Sequence, residues 1–397
     1  MRYPTFMRFL RNRRGGVLVF VTVGAVALLG LSGLALDGGM AYLTRAKLAR
    51  AVDAGTLAAA RTLRQGQKNA ETEGFAVAAA NGVVATGATT VSIEFGTNAK
   101  LQQTVLMRAH RTIPMLFSRV VGKYEMTIGA VAEATVPPID MVLVVDRSGS
   151  LETQKAWNPL QDAVKDFIKS FDDDIDQMGM TSFQIRAEDE VLLTHKFKGA
   201  ITSGISSMNS AGDTNTGEGL RLGYEQFKLP NVRPGAAKVV VFFTDGRPTA
   251  FRGNVGGADR VLAVNTVDDN KLRGYFDNPQ SIPMNKGATP NGCAGAATCF
   301  GTWNEAAVRD QARANGLASA EALRAAGVFV YTIALGNPGA ADPLLQPDLP
   351  YLETLANVNH KAHPTQPAGQ SYFAPTADQL GQVFQSLAKD LLVRLSR

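Results

Sequence analysis

Hydrophobic and polar positions follow three rhythms along the chain. From Gly15 to Leu36 there is no alternation at all: 22 residues run without a charge. As a helix that run would measure about 33 Å, against a bilayer hydrocarbon core of about 30 Å. DGGMAYLTRAKLARAVDAGTLAAARTLRQG follows from Asp37, Ala-rich, without Pro and with Lys and Arg interspersed. It predicts a continuing helix whose small side chains allow close packing. The period then drops to two. Val91, Ile93 and Phe95 alternate in TTVSIEF, TVLMRAH follows, and Met126, Ile128, Ala130, Ala132 and Ala134 alternate in YEMTIGAVAEATV. These segments predict half-buried strands, with a short helix over PMLFSRVVG between the last two.

Pro137 and Pro138 mark a boundary. Beyond them apolar runs alternate with helical spacings. IDMVLVVD predicts a strand buried on both faces, and Leu160, Ala163, Val164, Phe167, Ile168 and Phe171 recur at helical intervals. MGMTSFQI and EVLLTHKF suit two adjacent strands, TGEGLRLGYEQFKL a helix and KVVVFFTDG a second wholly apolar strand. NEAAVRDQARANGLASAEALRAAG then predicts a helix stopping at Gly327, VFVYTIALG a strand, and TADQLGQVFQSLAKDLLVRLS a closing amphipathic helix. Such alternation predicts an α/β fold, a mostly parallel sheet with helices on both faces. Between Gly246 and Trp303 the rhythm fails. That Gly-, Asn- and Pro-rich stretch predicts a long loop, of a length usually functional or disordered.

Composition changes this picture in one respect. Arg2, Arg8, Arg11, Arg13 and Arg14 precede the apolar run and account for the whole formal charge of +5. The remaining chain is electrically balanced and offers nucleic acid no basic footprint. A basic flank places its side of a membrane span in the cytoplasm, and hence the bulk of the chain outside it. A cleaved signal peptide is the rival reading, but its apolar region would normally be only about 7–15 residues. Cys293 and Cys299, the two cysteines, lie close together in NGCAGAATCFG. Outside the cytoplasm they can form a disulfide; two unpaired thiols are the alternative, and too few ligands accompany them for zinc.

Three oxygen-rich loops leave, or lie beside, the carboxyl ends of the predicted strands, where open parallel sheets bind ligands. DRSGS carries Asp146, Ser148 and Ser150; AGDTNTGEGL carries Asp213, Thr214 and Thr216; FFTDG carries Thr244 and Asp245. Carboxylates and hydroxyls without Cys or clustered His form a hard-oxygen set, suited to Mg²⁺ or Mn²⁺ rather than zinc or copper. Any one loop alone is explained by turns and helix caps; three at one sheet edge are not.

The D-x-S-x-S of Asp146, Ser148 and Ser150, the Thr214 loop and the strand-end T-D-G of Asp245 resemble the von Willebrand factor A domain and its metal-ion-dependent adhesion site. The resemblance covers residues 138 to 397. It implies that Ser148, Ser150 and Thr214 touch the ion directly, with Thr216 a weaker candidate for the threonine role. Asp146 and Asp245 then act mainly through bound water. It also implies an open coordination position that accepts an Asp or Glu carboxylate from a protein partner. The first 135 or so residues resemble the TadG-like proteins of Flp (Tad) pilus assembly, through the basic flank, the single span, Asp37-Gly38, Tyr42 and the Asp53-Ala54 step. Pilins of that system carry Glu five residues after the processed Gly. Here Phe20 or Val21 stands there, which favours a retained anchor. Together the resemblances imply a non-catalytic protein of the bacterial inner membrane with a periplasmic body. It would have a cytoplasmic tail over 1–14, a span over 15–36 and a pilin-like region over 37–137. Residues 138–397 would form the adhesion domain, with an insertion at about 247–303 and other Tad components among its partners.

The competing readings are weaker. His110, His195, His360 and His363 sit in no catalytic motif, and DRSGS is not a G-x-S-x-G elbow. A Mg²⁺-dependent phosphatase would need phosphate-binding cations, and only Arg147 and Arg247 lie adjacent. A generic metal-dependent adhesin remains the main alternative. Asp172, Asp173, Asp174 and Asp176 lack EF-hand spacing and read as a turn; His360 and His363 lie in a loop. GNVGG reads as a flexible loop, and the insertion as a partner-selecting rim stapled by the cysteines, or simply a mobile surface loop.

Overall fold

The structure is a computed structural model, and it describes residues 13–99, 102–264, 271–284, 288–339 and 346–394. Most of the expected tail, up to residue 12, lies outside the described residues. The chain divides into two compact units, one ending at Val136 and the other beginning at Pro137.

In the first unit, helix α1 spans Arg13–Thr62 and α2 spans Gln67–Ala80. A three-stranded antiparallel sheet follows in the order β1 (Thr89–Thr97), β2 (Gln103–Pro114) and β3 (Glu125–Val136). Small residues set the helix contact: a Cβ on Gly55 would meet the Gly74 carbonyl at 2.8 Å, so only glycine permits this approach. Leu48, Ala51 and Val52 of α1 bury against Met107, Ala109 and Ile113 of β2. The helix expected over PMLFSRVVG is absent. Pro114 still pairs in β2, and only a single 3₁₀ turn forms at Ser118–Val121, ended by Gly122 at φ 81°. Of its apolar positions Met115 is buried, but Leu116 and Val120 lie open, so no continuous buried stripe extends the turn.

The second unit is built on a six-stranded sheet in the order β12-β11-β7-β4-β5-β6. Its elements in chain order begin with β4 (Ile139–Asp146), α3 (Ser150–Thr153), α4 (Trp157–Ile168), β5 (Gln177–Phe183), β6 (Ala187–Thr194), α5 (Phe197–Ser207), α6 (Thr216–Gln226) and β7 (Ala237–Thr244). An additional hairpin and strand, β8 (Ala250–Val255), β9 (Ala258–Val264) and β10 (Leu272–Asp277), come next. Then follow α7 (Glu305–Ala325), β11 (Phe329–Leu335), α8 (Leu349–Ala356), β12 (Ser371–Ala374) and α9 (Leu380–Arg394). All neighbours pair in parallel except β6, which returns antiparallel from β5 at the edge.

Strand β4 explains the layering. All eight of its residues are buried because both faces are covered. Met141, Leu143 and Val145 pack against Leu160, Val164 and Phe167 of α4 and Phe384 and Leu387 of α9. Val142 and Val144 face the other way, into Leu220 of α6, Leu323 of α7 and Leu355 of α8. At the amino end of the sheet Asp140, wholly buried, is held by Arg233, whose main-chain N–H and Nε both donate to it at 2.9 Å.

The segment after β7 is not a long loop. β8, β9 and β10 form their own antiparallel sheet, and GNVGG closes the β8–β9 hairpin. Gly256 and Gly257 occupy the two-residue turn at φ 57° and 81°, the twist that matches right-handed strands. Cys293 and Cys299 form a disulfide beside this sheet. The acidic Asp172–Asp176 stretch is a turn: Asp176 accepts the N–H groups of Ile139 and Asp172, and Asp172 accepts those of Asp174 and Ile175.

Candidate metal centre

Two strands set the centre. β4 and β7 are adjacent and parallel, with Val145 opposite Phe243, so the residues following each strand emerge side by side at the carboxyl edge. Asp146 ends β4, and its Oδ1 accepts the Ser148 N–H at 2.8 Å, which turns the chain sharply. Ser148 and Ser150 then lie with their hydroxyls 3.0 Å apart. From the β7 side, Thr244 donates to Asp146 Oδ2 at 2.6 Å. Asp245 Oδ1 accepts from Ser150 at 2.8 Å and from Ser148 at 3.3 Å. Four of the five expected residues therefore share one hydrogen-bonded cluster.

Thr214 reaches the same edge through its backbone. The Gly149 N–H donates to the Gly212 carbonyl at 3.0 Å and the Ala211 N–H to the Arg147 carbonyl at 2.7 Å. These bonds fasten the Thr214 loop to the Asp146–Ser150 turn. Thr214 is buried, and its N–H donates to Thr249 Oγ1 at 2.8 Å. Thr216 sits in helix packing instead: it starts α6 and lies against Gly316 of α7.

Two further participants, Gln154 and Thr249, carry no obvious sequence signal, and a third, Asp213, lies in a loop already singled out for its oxygens. Gln154 Nε2 donates to Asp245 Oδ2 at 2.8 Å, four residues beyond Ser150 on the same short helical turn. Thr249, the first part of the insertion to touch the centre, holds Thr214. Asp213, buried, faces Arg273 of β10, with Oδ2 2.8 Å from Nη1. Burial lifts the Asp213 carboxyl to about 6 although Arg273 pulls it down.

Electrostatically the centre is dominated by its two buried carboxylates. Burial, joined by repulsion from Asp146, pushes the Asp245 carboxyl up to about 8. Burial also lifts Asp146 to about 6, outweighing its hydrogen bonds from Thr244 and Ser148. Among the described residues neither carboxylate has an ion-pair partner. Arg147, next in sequence, is turned inward to Glu190, 3.3 Å away, and to the Asn209 carbonyl. Among the described residues no three His, Cys, Asp or Glu side chains cluster as a metal site. The centre thus offers two carboxylates, hydroxyls and no soft donor, a set that fits a small hard divalent cation. His195 is engaged elsewhere, with the Asp176 carbonyl, and His363 with Thr365.

Comparison with known families places two segments. A von Willebrand factor type A domain model matches residues 140–268, and the Flp pilus-assembly TadE/G-like model matches residues 15–62. The pilus adhesin SpaC from Lactobacillus rhamnosus GG aligns at 16% identity and TM-score 0.45, over 77% of this chain and 35% of SpaC. The chain thus spans about a third of that relative. The vWF domain of the type V pili tip protein Mfa5 from Porphyromonas gingivalis aligns at 16% identity and TM-score 0.43, over 66% of this chain and 98% of the domain. Proximal thread matrix protein 1 from the mussel byssus, solved with a zinc-occupied MIDAS motif, aligns at 16% identity and TM-score 0.39, over 65% of this chain and 46% of its own. No curated protein matches the chain.

Proposed function

We propose that this protein is a membrane-anchored, non-catalytic adhesion protein of Flp/Tad pilus assembly or anchoring, and that it captures an acidic residue of a protein partner through a Mg²⁺ or Mn²⁺ site. The carrying observation is the cluster of Asp146, Ser148, Ser150 and Asp245, two buried carboxylates and two hydroxyls joined by hydrogen bonds, with no ion-pair partner among the described residues. In this reading residues 1–14 are a cytoplasmic tail, 15–36 the inner-membrane span, 37–137 a pilin-like region, and 138–397 a periplasmic cation-binding domain. Support for the anchor comes from the TadE/G-like match and from α1, the described helix long and apolar enough to cross a membrane.

Ser148, Ser150 and Thr214 would be the direct ligands, and Asp146 and Asp245 would act through water. A bound ion would supply strong local positive charge and an open coordination position for a carboxylate oxygen. The chain's own residues supply the preorganisation. Thr244 fixes Asp146, Gln154 fixes Asp245, and main-chain bonds hold the Thr214 loop against the serine turn. Against a phosphatase reading, Arg147 is engaged by Glu190 and Arg247 donates to the Gln346 carbonyl.

The test is a thermal-shift titration of the full chain with Mg²⁺, Mn²⁺ and Zn²⁺, with and without acetate as a carboxylate, beside Ser148→Ala and Asp245→Ala. With a dissociation constant of about 1 mM, about 10 mM ion stabilises the fold by about 1.4 kcal/mol. Both variants should lose that response. No shift under any condition overturns the proposal.

A further inference from the structure

The connection between β2 and β3 exposes apolar side chains where a soluble turn would carry polar ones. Leu116 is 57% exposed, Val120 90% and Tyr124 64%. Arg119 and Lys123 are interleaved with them, also exposed. The connection is nevertheless rigidly built. Met115 and Tyr124 close it with a main-chain hydrogen bond, and Gly122 and Lys123 donate back to Arg119 and Ser118.

Its position is fixed by one carboxylate. Asp37 Oδ1 accepts the Leu116 N–H at 2.9 Å. Its Oδ2 accepts the Phe117 N–H at 3.0 Å, the Ser118 N–H at 2.7 Å and the Ser118 hydroxyl at 2.8 Å. Asp37 is the first charged residue after the apolar run. One turn further back, about 6 Å towards the run's interior, Phe117 packs on Gly33, where a Cβ would meet the ring at 2.5 Å. The connection therefore descends beside α1, past the last apolar residue of the run.

We infer that residues 115–124 are a second membrane contact, seated in the outer interface of the bilayer that α1 spans. The occupant of the open apolar face is lipid, because the face continues the lipid-facing surface of α1 where Leu34 and Leu36 are likewise more than half exposed. Leu116, Phe117 and Val120 enter the boundary of the acyl region, Tyr124 takes the headgroup level favoured by amphipathic rings, and Arg119 and Lys123 meet phosphate. A buried carboxylate at the end of a span is otherwise costly. Here it is satisfied by the connection it anchors, so helix and sheet are tied to the membrane at two points and their tilt is set.

This inference rests on the reading of 15–36 as a span, and the experiment separates the two. The full chain is reconstituted in phosphatidylcholine vesicles brominated either near the headgroup or deep in the acyl chains. Tryptophan emission is then compared for Val120→Trp, Phe117→Trp, Leu29→Trp and Val131→Trp, against the background of Trp157 and Trp303 in the parent. An interfacial connection predicts that the emission added by Val120→Trp and Phe117→Trp falls by about half or more with shallow bromines and less with deep ones. Leu29→Trp, in mid-run, should respond most to the deep bromines. Val131→Trp, exposed on β3 and about 23 Å along the strand from Tyr124, should respond to neither. Quenching of Leu29→Trp without quenching at 117 or 120 overturns the inference and leaves the span standing. No quenching at Leu29→Trp overturns both.

Discussion

Arg273→Ala is the perturbation that tests whether the β8–β10 insertion is fastened to the candidate metal centre. Asp213 is 3% exposed and, among the described residues, its side chain meets a single cation, Arg273, itself 26% exposed. Breaking a buried pair from one side costs about 3–5 kcal/mol, since the remaining charge stays in a poor solvent. Arg273 is a quarter open, so water reaches the vacated space and the cost falls to about 2–3 kcal/mol. For a unit of this size that lowers Tm by roughly 5–10 °C. Burial already outweighs the pull of Arg273 on the Asp213 carboxyl, which sits near 6. Removing the charge should therefore rescue: Arg273→Ala with Asp213→Asn should recover most of the loss. Calorimetry on the wild type, both single variants and the double gives the coupling directly. Because Thr214 follows Asp213 and is held by Thr249, the cation response of Arg273→Ala should shrink as well. A double variant no more stable than Arg273→Ala would refute the electrostatic account.

Three further outcomes follow from other contacts. Arg233→Met should cost about 3–5 kcal/mol in urea denaturation by stranding Asp140, yet leave the cation response unchanged, because Asp140 lies at the opposite end of β4 from Asp146. Cys293→Ser should lower stability by about 2 kcal/mol through the opened ring, and reductant should do the same to the wild type and nothing to the variant. Gly256→Ala should cost at least about 1–2 kcal/mol in a denaturant midpoint shift, since the turn needs φ 57° and a Cβ would meet Phe300 at 2.4 Å.

How much of this was legible in the sequence depends on what hides each element. β4 and β7 read directly, because a central parallel strand is apolar on both faces and needs no alternation. β8 and β9 did not. Arg252 and Asp259 interrupt one face and Arg260 the other, and they pair across the strands and with Asp277 instead of giving a clean polar stripe. Gly256-Gly257 was the surviving hairpin signal, followed by the apolar run over 261–264, but no apolar run leads into the turn from its amino side to mark the first strand. The expected helix at 114–122 failed for a related reason. Its Leu, Phe and Val suggested a buried stripe, but no protein surface buries Leu116 or Val120.

The centre divides along the same line. Asp146, Ser148, Ser150 and Asp245 could be singled out because each follows an abrupt stop of an apolar run, a signal local to the sequence. Gln154 follows no such stop. Its contact with Asp245 exists because β4 and β7 are neighbours, which brings residues 91 positions apart into one hydrogen bond. Strand order is a property of the closed sheet, fixed by which apolar faces the helices cover, and no local pattern around Gln154 encodes it. The same holds for Asp37, whose four hydrogen bonds come from Leu116, Phe117 and Ser118, about 80 residues away in the β2–β3 connection. Residues that donate to a ligand can thus be read from a motif. Residues that hold those donors in place become visible only when the sheet order is known, and they are where substitutions should alter affinity without altering the motif.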